Sequence, residues 1–87
     1  MSQTLLVRIL SPKQRIFEGE AISVSSKNSS GKFDILAEHA NFITLIEHQP
    51  IVLRLKGEKP LIFNFESAII YVSSSNVNIY TDIELKT

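Results

Sequence analysis

The 87-residue sequence contains no cysteine, which excludes a disulfide framework and a thiolate metal site. That fits a reducing compartment. Net charge is missing as well, because nine acidic side chains match nine basic ones. A nucleic-acid binder needs a surplus of Lys and Arg against the phosphates, so no nucleic-acid partner is expected. Arg54, Lys56 and Lys59 lie close together, but Glu58 interrupts them, as in the solvated tip of a hairpin. No apolar run approaches the ~20 residues of a membrane-spanning helix, so direct bilayer insertion is not expected. The N-terminus lacks the charged start, apolar stretch and cleavage site of a secretory signal. These absences together describe a soluble, intracellular-type domain.

What is present is alternation. Leu5, Val7 and Ile9 fall on one face of a strand, and Ile22 and Val24 alternate with Ser23 and Ser25. Ile51, Leu53 and Leu55 form a row with Arg54 and Lys56 opposed; Leu61, Phe63 and Phe65 oppose Asn64 and Glu66; Val77 and Ile79 oppose Asn78 and Tyr80. A period of two means strands with one face in a core, and β-branched and aromatic residues suit such a surface. Ser11-Pro12, Gly19, Asn28 to Gly31, Gln49-Pro50, Lys56-Gly57-Glu58 and Ser73 to Asn76 punctuate the runs as turns. Each proline falls at an element edge, where its missing N–H harms no ladder. No segment has a convincing helical period; 37–49 is the one place where a turn of helix could lie. Connections this short require mainly antiparallel pairing. The pattern predicts an all-β chain, a small two-sheet antiparallel sandwich of about nine or ten short strands, with residues 1–87 forming a single domain. A chain of this size builds one thin core, burying a little over ~60% of its unfolded surface.

Signals for chemistry are weak. His39 and His48 are the two histidines, and Asp34, Glu38 and Glu47 could join them as metal ligands or an acid–base set. Yet Glu38-His39 and Glu47-His48 are direct neighbours, which strands aim to opposite faces, and zinc needs three or four converging ligands. Serines are plentiful, but no G-x-S-x-G elbow holds one exposed. Ser25 to Ser30 lacks the trailing Gly-Lys-Ser/Thr of a phosphate-binding loop and is more simply a hairpin loop. No catalytic residue, metal or cofactor is assigned.

The second strand face says more. Leu6, Leu10, Val52, Ile62, Ile69, Tyr71 and Tyr80 lie out of phase with the core rows, where a solvated sheet face should be polar. A sandwich this small cannot bury both faces of both sheets, so some of these side chains should form an exposed apolar patch, the usual mark of a partner. Edge strands or bulges are the other explanation.

One stretch carries a motif. Gly31 to Thr44 reads GKFDILAEHANFIT: a glycine, an alternating apolar pair at Phe33 and Ile35, the loop Glu38-His39-Ala40-Asn41, then Phe42-Ile43-Thr44. With Leu5-Leu6-Val7, Ser11-Pro12, Ile16-Phe17-Glu18-Gly19 before it and Asn76-Val77 and Asp82 after it, the chain resembles the N-terminal β-domain of the epsilon subunit of rotary ATP synthases (delta in mitochondria). Gly31, Ile35, His39, Ala40 and Thr44 match the family pattern at its spacings, and the likeness covers roughly residues 4 to 82. Ala37-Glu38 stands where the family has Pro-Gly, Asn41 where it has Pro, and Ser67-Ala68 where it has Gly-Gly. The loop around His39 and the turn near Ser67 are therefore expected to take a different path, since a Cβ resists φ > 0.

The resemblance implies a non-catalytic subunit at the foot of the rotor, without cofactor. Its expected partners are the gamma shaft and the membrane-embedded ring of c subunits, which it ties together so that ion-driven rotation of the ring turns the shaft. By position match, Ser11, His39 and Thr44 would face the gamma shaft. Asn28, Ser29, Ser30, Gly31 and Lys32 would approach the c-ring loops, with Lys32 where the family often has an acidic residue. The location implied is peripheral, on the cytoplasmic face of the bacterial inner membrane or its plastid or mitochondrial equivalent. Family members usually continue into a C-terminal helical hairpin; with the sequence ending at Thr87, no nucleotide binding and no helix-driven inhibition is expected of this chain. A free-standing β-sandwich adaptor using the same second face is the alternative, and a small hydrolase or metal enzyme built on His39 or His48 a third.

Overall fold

Alternation becomes strand throughout. The computed structural model describes residues 4–38 and 41–82, and every regular element among them is a β-strand. In chain order these are β1 (Leu5–Leu10), β2 (Arg15–Ala21), β3 (Ser23–Asn28), β4 (Gly31–Leu36), β5 (Phe42–Glu47), β6 (Pro50–Arg54), β7 (Leu61–Asn64), β8 (Ser67–Ser73) and β9 (Asn76–Thr81). They form a five-stranded sheet in the order β2-β1-β9-β8-β5 and a four-stranded sheet in the order β4-β3-β6-β7. The two-sheet sandwich and its nine strands agree with the sequence expectation.

One pairing departs from the antiparallel rule. β1 and β9 run parallel, with Val7 beside Val77 and Ile9 beside Ile79. Short connections forbid parallel pairing only between consecutive strands. β1 and β9 are joined through all seven strands between them, so no short crossover is involved.

The core lies between the sheets. Leu5, Val7, Ile9, Ile70, Val72, Val77 and Ile79 of the larger sheet meet Val24, Ile35, Ile51 and Leu53 of the smaller, all fully buried. Each such side chain contributes about 1.5–3 kcal/mol by leaving water. Aromatic rings fill the two open sides. Phe33 of β4 meets Phe42 of β5 edge-on at 5.5 Å, while Phe17 of β2 meets Phe63 of β7 at 6.0 Å.

Three local expectations meet the backbone. Ile22 is not in the Val24 row: it occupies the bend between β2 and β3, its N–H donates to the Arg54 carbonyl at 2.7 Å, and its side chain turns outward. At Glu38, where the family pattern has glycine, φ is +63°, so this residue takes the left-handed conformation despite its Cβ. Ser67 and Ala68 have ordinary φ and simply open β8. The connection before β8 is fixed instead by the His48 N–H donating to the Glu66 carbonyl at 3.1 Å.

Candidate interaction surface

Register places the out-of-phase residues of the larger sheet side by side. Across its outer face one row runs Leu10, Tyr80, Ile69, Leu45, and the next runs Arg8, Asn78, Tyr71, Ile43. Neighbours in a row are about 4.8 Å apart and the rows about 7 Å apart, so Leu10, Tyr80, Ile69, Leu45, Tyr71 and Ile43 form one uninterrupted patch. Ile43 is 67% exposed, Leu45 51%, Tyr71 42% and Tyr80 38%. Aromatic enrichment with no charge at the centre is the compositional signature of an interface core.

A polar rim bounds the patch on the β1–β2 side. Glu18 accepts from Arg8 Nε at 3.1 Å and from Arg15 Nη1 at 2.6 Å, and Thr4 donates its hydroxyl proton to Glu20 at 2.7 Å. Arg8, Glu18 and Arg15 are partly exposed and satisfy one another, so they keep the rim hydrated without competing for the patch.

The outer face of the smaller sheet is more polar. Ser25 donates to Asp34, Lys27 stands directly opposite Lys32, and Val52 beside Ile62 is its main apolar pair. Exposed Leu36 sits apart from that pair, next to Ser23.

The residues expected to face the shaft are dispersed. Ser11 follows the end of β1, where its hydroxyl donates to the Gln14 carbonyl and accepts from the Gln14 N–H, at 3.1 and 3.2 Å, closing the turn over Pro12. Thr44 lies on β5, three strand spacings from β1, or about 14 Å across the sheet. Its side chain points inward, opposite to those of Ile43 and Leu45. His39 lies outside the described residues. The flanks of its loop dock on the β8–β9 turn: the Glu38 N–H donates to Ser75 Oγ at 3.2 Å, and Asn41 Oδ1 accepts from the Ser74 N–H at 3.3 Å.

The residues expected to approach the ring form one hairpin tip. Asn28 pairs with Gly31 across the two-residue loop Ser29-Ser30, and Asn28 Oδ1 accepts from the Ser30 N–H at 2.9 Å. Neither serine has positive φ; Gly31 at +125° takes the unusual conformation. The structure also joins the two expected sets, because Asn28 Nδ2 donates to Thr44 Oγ1 at 2.9 Å. His48 is exposed at the β5–β6 turn with φ +54°. Among the described residues no group of three or more His, Cys, Asp or Glu could hold a metal ion.

Ile43 and Leu45 are patch members that alternation alone did not identify. β5 reads FITLIE, with apolar residues in both phases, so only its pairing with β8 fixes which of them face outward.

Comparison with known proteins agrees with this architecture. The ATP synthase Delta/Epsilon chain beta-sandwich domain matches residues 4–85. The chain is similar to the ATP synthase epsilon chain of Clostridium novyi, with 34% identity over 83 residues, covering 94% of this chain and 63% of that one. It is 30% identical over 78 residues to the ATP synthase epsilon chain of Leptospira interrogans, covering 90% of this chain and 61% of the relative. It thus spans somewhat under two thirds of those relatives' length. Among solved structures, a chain of the Euglena gracilis mitochondrial ATP synthase (OSCP/F1/c-ring) superposes with a TM-score of 0.85 at 13% identity, over 98% of this chain and 54% of that one. A chain of the Tetrahymena thermophila mitochondrial ATP synthase central stalk/c-ring does so with a TM-score of 0.75 at 12% identity, over 92% and 64%. At such identities the superpositions speak for the fold alone. The match over residues 4–85, with relatives of the same name across nearly the whole sequence, makes this chain a member of the ATP synthase delta/epsilon β-sandwich domain family.

Proposed function

We propose that this chain is a non-catalytic central-stalk subunit of a rotary ATP synthase, coupling the gamma shaft to the c-ring. The observation that carries the reading is the uncharged patch of Leu10, Ile43, Leu45, Ile69, Tyr71 and Tyr80 on one face of a sandwich whose core is already complete. Apolar side chains gathered on one face, with a charged rim, are what a permanent neighbour covers. A coupling piece needs that arrangement: a rigid β scaffold that transmits torque, with one face seated on the shaft.

The two expected contact sets join this reading. Ser11 and His39 are assigned to the shaft side and the tip from Asn28 to Lys32 to the ring, while Thr44, whose side chain points inward, supports the tip through Asn28 rather than facing the shaft. The Asn28–Thr44 bond would link the tip mechanically to the larger sheet. Attachment to the membrane would come through the ring, on the cytoplasmic side in a bacterium; no helix among the described residues is long and apolar enough to cross a bilayer. Affinity purification of the tagged chain from its own cells tests the proposal. Recovery of the gamma subunit together with ring subunits is expected. Recovery of a partner outside any ATP synthase, with no gamma, would favour the adaptor reading instead.

A further inference from the structure

The free edge of β5 differs chemically from the other sheet edges. Each of those is guarded. β2 carries Glu18 and Glu20 outward and pairs with β1 through a register shift, β7 is four residues long and follows Pro60, and β4 presents Lys32 and Asp34. Charges, proline, irregularity and shortness are the devices that stop a strand edge from recruiting another strand. β5 has six residues, no proline, and no charge before Glu47.

The hydrogen-bond phase of β5 follows from its neighbours. The β8–β9 hairpin closes on the pair Ser73–Asn76 through a two-residue turn, so Ser73, Tyr71 and Ile69 bond toward β9. Ala68, Ile70 and Val72 therefore bond toward β5, to Ile46, Thr44 and Phe42. The His48 N–H donating to the Glu66 carbonyl fixes the same phase independently. Ile43, Leu45 and Glu47 are left with their backbone N–H and C=O directed away from the sheet. Their side chains, led by Ile43 and Leu45, end the apolar rows on the outer face. A polar groove of about 280 Å³ runs beside this edge, between Leu45 and Glu47 on one side and Lys27 and Ser29 on the other.

We infer that β5 accepts an extended segment of the partner subunit as a sixth strand of the larger sheet. Three donors and three acceptors at two-residue spacing are complementary to another extended backbone, the chemistry of recognition by strand addition. The incoming segment would extend the Tyr71–Ile43 and Ile69–Leu45 rows, so it should carry apolar side chains at alternate positions on that face. A second copy of this chain fits poorly. Antiparallel pairing centred on Leu45 would set Ile43 against Glu47 and bring both copies' hairpin tips to the same edge. The inference rests on the stalk reading for its partner, the gamma shaft.

Backbone amide exchange on the whole chain, free and bound to the gamma subunit from the same source, tests it. In the free chain Thr44 and Ile46 are protected, while Ile43, Leu45 and Glu47 exchange quickly. On binding, those three amides should slow by at least about tenfold. Binding that leaves them unchanged overturns strand addition while the stalk role stands; absence of binding overturns both. Leu45→Pro against Leu45→Ala is the second arm, since the N–H that proline removes is one that no ladder bond of this chain uses, and the ring's constraint on φ is checked by the integrity of the sheet. Binding should fall about tenfold further for Leu45→Pro than for Leu45→Ala, with amide exchange of Ile46 and Ile70 showing that the sheet is intact. Equal losses would overturn the inference.

Discussion

The side-chain amide of Asn28 donates to the hydroxyl of Thr44 across 2.9 Å, tying the β3–β4 hairpin of one sheet to the edge strand of the other. It acts beside the Phe33–Phe42 ring contact and the Ser26 hydroxyl's bond to the Pro50 carbonyl in holding the hairpin in place. A partly buried hydrogen bond of this kind contributes about 1 kcal/mol net. In a double-mutant cycle on Asn28→Ala and Thr44→Val, urea unfolding should return a coupling of about 0.5–1.5 kcal/mol. Simple additivity would mean that the contact does not hold the hairpin.

Gly31 isolates the cost of backbone geometry. A Cβ built there meets no heavy atom within 4 Å, yet φ is +125°. Gly31→Ala should therefore destabilise by about 1–3 kcal/mol through conformation alone. Chemical denaturation would measure it, and an unchanged midpoint would show that the turn relaxes freely.

Adjacent residues on β8 separate core from surface. Ile70 is fully buried and Tyr71 is 42% exposed. Ile70→Ala should cost about 2–5 kcal/mol. Tyr71→Ser should cost no more than about 1 kcal/mol, the scale of its cross-strand pairing with Ile43. Similar losses for both would mean that the outer face is part of the stabilising core.

The Arg8–Glu18–Arg15 network is a rim feature rather than a source of stability. Its side chains are between one third and two thirds exposed. Glu18→Gln should lower stability by less than about 1 kcal/mol, with the difference shrinking in high salt. Thermal unfolding at two salt concentrations checks both points.

How far the sequence was legible depended on whether a strand kept its two faces chemically distinct. β1 and β9 place Leu5, Val7, Ile9, Val77 and Ile79 in one phase, and all of them are core residues. β5 is apolar in both phases, so Ile43 and Leu45 became recognisable as surface only once β8 was beside it. Ile22 misled because a bend, invisible to alternation, reset the phase before Val24. The parallel β1–β9 pair and the Asn28–Thr44 contact depend on residues distant in sequence, and no local pattern encodes them. The exposed patch itself was foreseeable from Ile69, Tyr71 and Tyr80: each sits where a solvated face should have been polar.

The central claim is that the outer face of the larger sheet is covered by the gamma shaft, and calorimetric titration of that subunit tests it most directly. The wild-type chain should bind at micromolar concentration or more tightly. The pair Ile69→Ser and Tyr71→Ser should remain folded and lose at least about tenfold in affinity, as expected for the centre of an interface. Equal affinity for the wild type and the folded double variant, or no binding to either, would contradict the account.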